Sequence, residues 1–188
     1  LDVLVENGQP EGGRWNYDAE NRLPPPKNYV WPEYLTHARD TIDEQVANEL
    51  HMTPTNTWAT TREGALKQLD YFVTQHLPAF GPYEDAMAID NWSMHHSLIS
   101  PYLNIGLLLP EEAIVRAIDA YRKGKAPIES VEAFVRQIIG WREYINGMYW
   151  FLGEDYRENN SLNAHQPLPL ALQDSTKTSM NCVSHIVK

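Results

Sequence analysis

Two segments of the sequence combine residue types that could bind a ligand, and the first covers residues 95–104. It reads His-His-Ser-Leu-Ile-Ser-Pro-Tyr-Leu-Asn. Ser97 or Ser100 could cap a short helix there, and the unpaired N–H groups of a helix start attract anions. An ordinary N-cap without a ligand is the alternative interpretation. His95 and His96 do not favour a metal site, because adjacent positions on a helix do not face one another.

The second segment, residues 137–144, reads Gln-Ile-Ile-Gly-Trp-Arg-Glu-Tyr. It places an indole, a guanidinium and a carboxylate in successive positions of a predicted helix. Because buried charges need partners, we expect Arg142 and Glu143 to pair with protein groups or with a ligand. Trp141 and Tyr144 also have a simpler interpretation, which is core packing.

Cys182 is the chain's one cysteine. A single thiol excludes an intramolecular disulfide and a self-contained CxxC-type metal site, and it favours a reducing compartment such as the cytoplasm. Cys182 and His185 could be half of a zinc or haem motif. The alternative is that Cys182 is an inert small hydrophobe.

The whole composition limits the possible classes of protein. The chain has 188 residues, enough for one domain, and 25 acidic side chains against 15 Lys and Arg give a net charge of −10. This charge argues against a free-standing protein that binds the DNA backbone, because phosphate contacts need clustered Lys and Arg. We expect no membrane contact, since no run of about 18 apolar residues exists, and no secretory signal is visible.

Residues 1–36 are predicted to form an extended arm. Prolines occur at 10, 24–26 and 32, and the triple proline favours a polyproline conformation. A free linker does not need aromatic residues, so Trp15, Tyr17 and Trp31 predict that the arm docks on a surface.

From residue 37 onward the pattern is helical. Thr36 or Asp40 could cap a helix over residues 41–50. Thr60, followed three residues later by Glu63, predicts the next helix start. The apolar face of that helix has the 3–4-residue spacing of an amphipathic helix, and it comprises Leu66, Leu69, Phe72, Val73, His76 and Leu77.

Two more helices complete the prediction. Pro110 and the two glutamates after it open a helix that reaches Tyr121 and ends at Lys123-Gly124-Lys125. The longest helix runs from about Ile128 to Phe151 and carries two apolar stripes, so we expect it to be central and covered on most sides. No alternating strand pattern exceeds four residues, and the predicted fold class is all-α.

Taken together, four segments resemble the photolyase/cryptochrome superfamily, in particular its bacterial iron–sulfur branch of (6-4)-photolyase-like proteins. Residues 96–103 are similar to its Thr-Ser-x-Leu-Ser-x-Tyr-Leu element, and residues 141–144 match its Trp-Arg-Glu-Phe/Tyr element. Residues 12–22 and 80–87 resemble signatures of the iron–sulfur branch. The resemblance runs in the family's order from residue 12 to residue 182.

The resemblance implies that the chain is part of a longer protein. Residues 1–36 would be the end of an interdomain linker, and residues 37–188 the first half of the helical FAD-binding domain. An N-terminal antenna domain with a lumazine-type chromophore would be absent, as would the later helices of the flavin pocket. The first residue, Leu1, and the apolar C-terminal stretch point the same way.

The resemblance also assigns roles to individual residues, none of them catalytic. Arg142 would face the flavin, and Cys182 would be the first of four ligands of a [4Fe–4S] cluster that one thiolate cannot hold. The superfamily's glutamate one turn before Trp141 is absent, and Gln137 or Ile138 stands in its place. The residues at the FAD diphosphate would be Tyr83, His96, Ser97, Leu98 and Ser100, and those lining the substrate cavity Gln137, Trp141 and Tyr144.

The implied activity is light-driven electron transfer from reduced FAD to (6-4) photoproducts in UV-damaged DNA. The alternatives are a cryptochrome-like blue-light sensor without repair activity and a fragment with no activity of its own. An aromatic relay residue of the branch is missing between Gln173 and Lys177, which speaks against photoreduction by that route. With half a pocket, the chain should retain FAD weakly and self-associate through the exposed pocket side.

Overall fold

A computed structural model describes residues 5–38, 41–50, 57–89 and 91–187 of the chain, leaving aside the side chains of residues 18 and 41–43. The chain divides into two compact units, Leu1–Ile145 and Asn146–Lys188. The predicted boundary between residues 36 and 37 concerns the roles of the two segments in a larger protein, and it stays a prediction.

Seven α-helices account for most of the regular structure in the described residues, which confirms the all-α class. Val5–Glu6 (β1) and Gln9–Pro10 (β2) pair antiparallel in a two-residue hairpin. A π-helical stretch, Phe72–His76, connects the second and third helices. The helices are α1 Thr41–Glu49, α2 Arg62–Tyr71, α3 Leu77–Phe80, α4 Ser100–Asn104, α5 Pro110–Arg122, α6 Ile128–Leu152 and α7 Asn181–Val187.

The start of α2 differs by one residue from the prediction. The N-cap is Thr61, whose hydroxyl accepts a hydrogen bond from the Gly64 N–H at 3.1 Å. Thr60 is therefore not the cap, because Thr61 is the residue with extended backbone directly before the first helical residue. Glu63 pairs with Lys67 at 2.8 Å instead of closing a capping box.

The other predicted helix starts have different outcomes. Pro110 opens α5 as expected, and the Glu112 carboxylate accepts a hydrogen bond from the Leu109 N–H at 2.9 Å. The predicted helix over residues 41–50 is present as α1. Thr36 lies outside the helix, five residues before α1, so it does not cap this helix, and Asp40 lies outside the described residues.

The core of the first unit lies between α2, α3, α5 and the first half of α6. The predicted apolar face of α2 and the π-helical stretch is confirmed, since Leu69, Phe72 and Leu77 are fully buried. Three phenylalanine rings meet there: Phe72 lies 4.7 Å from Phe134 and 5.8 Å from Phe80, measured between ring centroids. Such ring pairs add about 0.5–1.5 kcal/mol each beyond their buried area.

Gly81, directly after α3, lies close to the backbone of α6. Its N–H donates a hydrogen bond to Ser130 Oγ at 2.8 Å, and both residues are buried. A Cβ atom on Gly81 would lie 2.8–2.9 Å from the backbone N, the Cα and the Oγ of Ser130. The loop that follows Gly81 is therefore held directly against α6.

The arm docks on the helices of the first unit, as predicted, but not through all three expected aromatics. Tyr17 is 5% exposed, and its N–H donates to the Glu132 carboxylate of α6 at 3.2 Å. Trp31 is half-buried. The prediction is wrong for Trp15, which is 69% exposed and packs into no core. Further along, the Leu23 N–H donates to the Pro82 carbonyl at 3.0 Å.

The expectation that α6 is covered on most sides is correct only for its first half. Its buried residues end at Ile138. Trp141, Tyr144 and Ile145 are each more than half exposed. Periodicity identifies the apolar face of a helix, but it does not say how far along the helix other elements cover that face.

The second unit, Asn146–Lys188, contains the last turns of α6, three short 3-10 helices and α7. None of its described residues is fully buried. Local hydrogen bonds hold it, such as those from the N–H and hydroxyl of Thr176 to the Asp174 carboxylate at 2.8 and 2.7 Å. In the part of the chain that the structure describes, no helix has both the length and the apolar character that a membrane crossing needs.

We predict opposite effects for two glycine-to-alanine changes. Gly81→Ala should lower the free energy of unfolding by about 1–3 kcal/mol, because its Cβ would overlap the backbone of α6. Gly140→Ala should raise it by up to about 1 kcal/mol, because a Cβ meets nothing within 4 Å there and alanine favours the helix. Urea unfolding measures both. A Gly81→Ala variant as stable as the wild type would show that the close contact is not needed.

Candidate functional site

Four of the six residues predicted to bind a cofactor line one groove, which we call groove A. It has a volume of about 520 Å³. The rings of Trp58, Phe80 and Phe134 form its apolar wall, and Gln137 and Ile138 of α6 close it. The predicted residues that line it are His96, Ser97, Leu98 and Ser100.

Neither serine has the predicted role of an N-cap. Helix α4 begins at Ser100 itself, Ile99 occupies the cap position, and no side chain accepts a hydrogen bond there. The loop before α4 is fixed by a hydrogen bond from α2, in which the Gln68 side-chain amide donates to the Ser97 carbonyl at 2.9 Å. A five-residue helix makes no strong anion site by its dipole alone. The side chains at groove A, rather than the helix end, are what a ligand would meet.

Tyr83 and His95 lie away from groove A in a cluster of rings with Tyr29 and Trp31 of the arm. The Tyr83 ring stacks on His95, with centroids 5.9 Å apart and an interplanar angle of 19°. The Tyr29 hydroxyl and His95 Nε2 share a hydrogen bond of 2.8 Å. The Tyr29 and Trp31 rings meet edge to face at 4.8 Å. The structure therefore separates Tyr83 from the other predicted cofactor residues.

Burial keeps His95 uncharged. Desolvation lowers its pKa to about 4, and the nearby imidazoles of His76 and His96 act in the same direction. His96, at groove A, also has a pKa lowered by burial, opposed by the charge of Asp85. Within the described ranges no three His, Cys, Asp or Glu side chains are grouped so that they could hold a metal ion.

The three residues predicted to line a substrate cavity come together in a second groove, groove B, of about 440 Å³. They are Gln137, Trp141 and Tyr144, and Arg136 and Gly140 complete the lining. The indole N–H of Trp141 donates to Gln137 Oε1 at 2.9 Å, and the rings of Trp141 and Tyr144 lie edge to face at 6.1 Å. Trp141 is 62% and Tyr144 56% exposed, so the core-packing interpretation of both is wrong.

The expected pairing with protein groups is met by Arg142, and Glu143 is not buried and so does not need it. Glu143 is exposed. Arg142 is half-buried, and its guanidinium donates to the Ile138 carbonyl of its own helix at 3.0 Å. Arg142 is not among the residues that line groove A or groove B, although Ile138 is a residue of groove A.

Sequence reasoning missed Glu84, which lines groove A. Its carboxylate accepts hydrogen bonds from Asn21 of the arm at 3.2 Å and from the side-chain amide of Gln137 at 3.0 Å. Burial raises the pKa of Glu84, opposed by the hydrogen bond from Gln137 and the charge of Arg136. The Glu84 carboxylate therefore lies beside Gln137, one of the two residues that could stand where the superfamily has a glutamate. The one feature of the sequence that could have indicated Glu84 is the run Tyr-Glu-Asp at residues 83–85.

Comparison with known proteins identifies the family. A family model described as deoxyribodipyrimidine photo-lyase-related protein matches residues 1–64. A (6-4) photolyase of Agrobacterium fabrum (strain C58) is 39% identical over 193 aligned residues, which cover 98% of this chain and 38% of that protein. The chain belongs to a photolyase-related family.

A second relative is an uncharacterized protein, R853, of Acanthamoeba polyphaga mimivirus. It is 38% identical over 78 residues, which cover 41% of this chain and 60% of that protein. The photolyase-related chain thus spans about two fifths of the Agrobacterium protein and three fifths of the viral one.

The residues of this photolyase-related chain do not fit an iron–sulfur cluster. A [4Fe–4S] cluster takes four thiolates, and the sequence contains Cys182 alone. Cys182 lies exposed on α7, where it is a free thiol.

The buried His95 makes the stability of this photolyase-related chain depend on pH. Its folded pKa of about 4 lies below the ordinary 6.5, so the unfolded state binds more protons between these values. We therefore expect stability from this residue to be complete above pH 6.5, to fall by about 3 kcal/mol on acidification to pH 4, and to fall no further below that.

His95→Gln tests this linkage, because glutamine does not titrate in this range and can still accept a hydrogen bond from Tyr29. The difference in unfolding free energy between wild type and variant cancels the contributions of the carboxylates. That difference should change between pH 6.5 and 4. A difference that stays constant across this window would show that His95 is protonated as readily in the folded state as in the unfolded state.

Proposed function

We propose that this chain is the part of a flavin-dependent, photolyase-related protein that holds the phosphates of FAD and presents the surface for a damaged pyrimidine. In this proposal residues 37–188 belong to the FAD-binding helical domain and residues 1–36 to the linker before it. The observation that carries it is that grooves A and B meet at one residue, Gln137. A cofactor in groove A and a base in groove B would therefore be neighbours.

The side chains of groove A suit a flavin nucleotide. The hydroxyls of Ser97 and Ser100 and the imidazole of His96 can donate hydrogen bonds to phosphate oxygens. The aromatic wall of Trp58, Phe80 and Phe134 suits a flat ring system. Glu84 and Asp85 also line the groove, and two carboxylates repel phosphate, so the phosphates would lie at the serine end.

When bound, a reduced flavin supplies light-driven donation of one electron. The chain's own residues would bind and orient. Ser97 and Ser100 would fix the phosphates, and Arg142, which donates to the carbonyl of the groove A residue Ile138, would face the flavin from outside the groove lining. Tyr83 does not line groove A, so we propose no direct contact between its ring and the phosphates. We assign no residue to a lumazine-type antenna.

Groove B would receive the lesion. A base inside a duplex is not accessible, so the damaged pyrimidines must be extruded and stacked on protein rings. Trp141 and Tyr144 offer two exposed aromatic faces for this purpose, and stacking contributes about 1–3 kcal/mol per base. The (6-4) photoproduct is the lesion we propose, by analogy with the Agrobacterium relative. With DNA as its substrate, the protein would act in the cytoplasm.

Blue-light sensing without repair is the second candidate function. The net charge of −10 favours it, because such a chain adds little attraction for the DNA backbone. The glutamine at position 137, in place of a carboxylate, favours it as well. A repair assay with a lesion-containing oligonucleotide under blue light separates the two functions.

We predict weak binding of FAD that depends on the two serines. The chain as it stands should bind added FAD reversibly, and the exposed rings of groove B should favour self-association. Ser97→Ala combined with Ser100→Ala should weaken FAD binding at least about tenfold, because two hydrogen bonds to charged oxygens are lost. Ser161→Ala, at an exposed position of the second unit, is the matched control. Flavin fluorescence titration measures the affinity, and equal affinities for all three chains would exclude the phosphate assignment.

We also predict that Trp141→Ala weakens binding to an oligonucleotide with a (6-4) photoproduct by about 5- to 150-fold, since one stacking surface is lost. Trp150→Ala is the control, because Trp150 is an exposed tryptophan of the second unit. Anisotropy with labelled DNA measures both. Indistinguishable affinities for damaged and undamaged DNA would contradict the repair function and leave the sensor.

A further inference from the structure

A chain of three side chains joins groove A to groove B. Glu84 Oε1 accepts a hydrogen bond from Gln137 Nε2 at 3.0 Å, and Gln137 Oε1 accepts one from Trp141 Nε1 at 2.9 Å. On the far side, Asn21 Nδ2 donates to Glu84 Oε2 at 3.2 Å. All four residues belong to the first unit.

The polarity of this chain permits one arrangement. An ionised carboxylate only accepts hydrogen bonds, and an indole N–H only donates. The amide between them must therefore turn its NH₂ group to Glu84 and its oxygen to Trp141. A glutamine beside a neutral acceptor-and-donor group would have no such unique orientation.

We propose that Glu84 is a positioning residue for Trp141, which through the amide of Gln137 fixes the orientation of the indole that receives the damaged base. This inference deepens the function proposed above and rests on it for the role of Trp141. Without the hydrogen bond, the exposed indole could rotate about its side-chain torsions, and binding a base would first have to order it.

The charge on Glu84 controls the arrangement. A protonated carboxyl can accept or donate, so it no longer holds the Gln137 amide in one orientation. In the turned-over orientation the NH₂ group faces the indole N–H, and in that fraction of molecules the hydrogen bond to Trp141 is lost. The ionisable groups around Glu84 are Arg136 on α6, Asp85 on the same loop, and His96 across groove A; Arg136 favours the charged carboxylate and Asp85 disfavours it. Burial raises the pKa of Glu84, so the loss should begin above the pH at which an exposed carboxyl is protonated.

The test observes the indole N–H of Trp141 by proton–nitrogen correlation NMR on the whole chain without flavin or DNA, with Trp141→Phe to assign the signal. In the wild type this N–H should exchange slowly with solvent, and its shift should move as the pH falls through the pKa of Glu84. In Glu84→Gln the exchange should be at least about fivefold faster, because a neutral amide no longer holds Gln137 in the orientation that accepts from the indole, and the pH-dependent shift should disappear.

Two matched controls make the result specific. Asp85→Asn removes a carboxylate from the next residue of the same loop, and it should leave the Trp141 signal in place. Asn146→Ala removes the acceptor of a similar bond, from Trp150 Nε1 to Asn146 Oδ1 at 3.2 Å, and it should move the Trp150 signal alone. Gln137→Leu removes the acceptor of the Trp141 indole N–H and should abolish its slow exchange with solvent. This variant replaces Glu84→Gln in the test if Glu84→Gln does not fold.

The proposal is overturned if Glu84→Gln or, failing that, Gln137→Leu leaves the exchange and the pH profile of Trp141 as in the wild type. It is equally overturned if Asp85→Asn has the same effect as Glu84→Gln. Because this experiment uses no ligand, its failure is distinct from that of the proposed function, which DNA binding tests. A double-mutant cycle links the two: Glu84→Gln should weaken binding of the damaged oligonucleotide about five- to tenfold in the wild type and not in a Trp141→Ala background.

Discussion

The close contact between Gly81 and Ser130 determines where the candidate site lies. A residue without a side chain brings the backbone after α3 onto α6, and the buried bond from the Gly81 N–H to Ser130 Oγ satisfies a polar pair that would otherwise be costly. Because Glu84 follows three residues after Gly81, and Gln137 lies two turns beyond Ser130, the contact brings these two side chains within hydrogen-bond distance. The arm then attaches to the same loop at Pro82 and Asp85.

Local signals predicted most of the helices, and tertiary packing decided the rest. Helices α5 and α6 were predicted with their bounds nearly correct, because a proline at the first turn and the apolar spacing are properties of neighbouring residues. The N-cap of α2 was displaced by one residue, since Thr60 and Thr61 both qualify chemically and only backbone conformation separates them. The exposure of Trp15 and of the second half of α6 depends on what packs from elsewhere, and no periodicity contains that information.

The candidate site was predicted through residue patterns and completed by contacts distant in sequence. Two segments of the resemblance, residues 96–103 and 141–144, contain most of the predicted residues that line grooves A and B. Glu84 was not recognised, because its two partners, Asn21 and Gln137, are 63 and 53 residues away. The protonation and role of a half-buried carboxylate depend on its hydrogen-bond donors, and a single sequence does not show which residues these are.

The arm contributes directly to the candidate site. Asn21 donates to Glu84 and so favours the charged carboxylate. Burial is the larger effect, because the pKa of Glu84 is raised in spite of three favourable partners. By linkage, loss of the proton from Glu84 strengthens its hydrogen bond from Asn21, and this hydrogen bond in turn favours the loss of the proton. The hydrogen bond from Asn21 and the charge of Glu84 are thus coupled, and the bond favours the charged form.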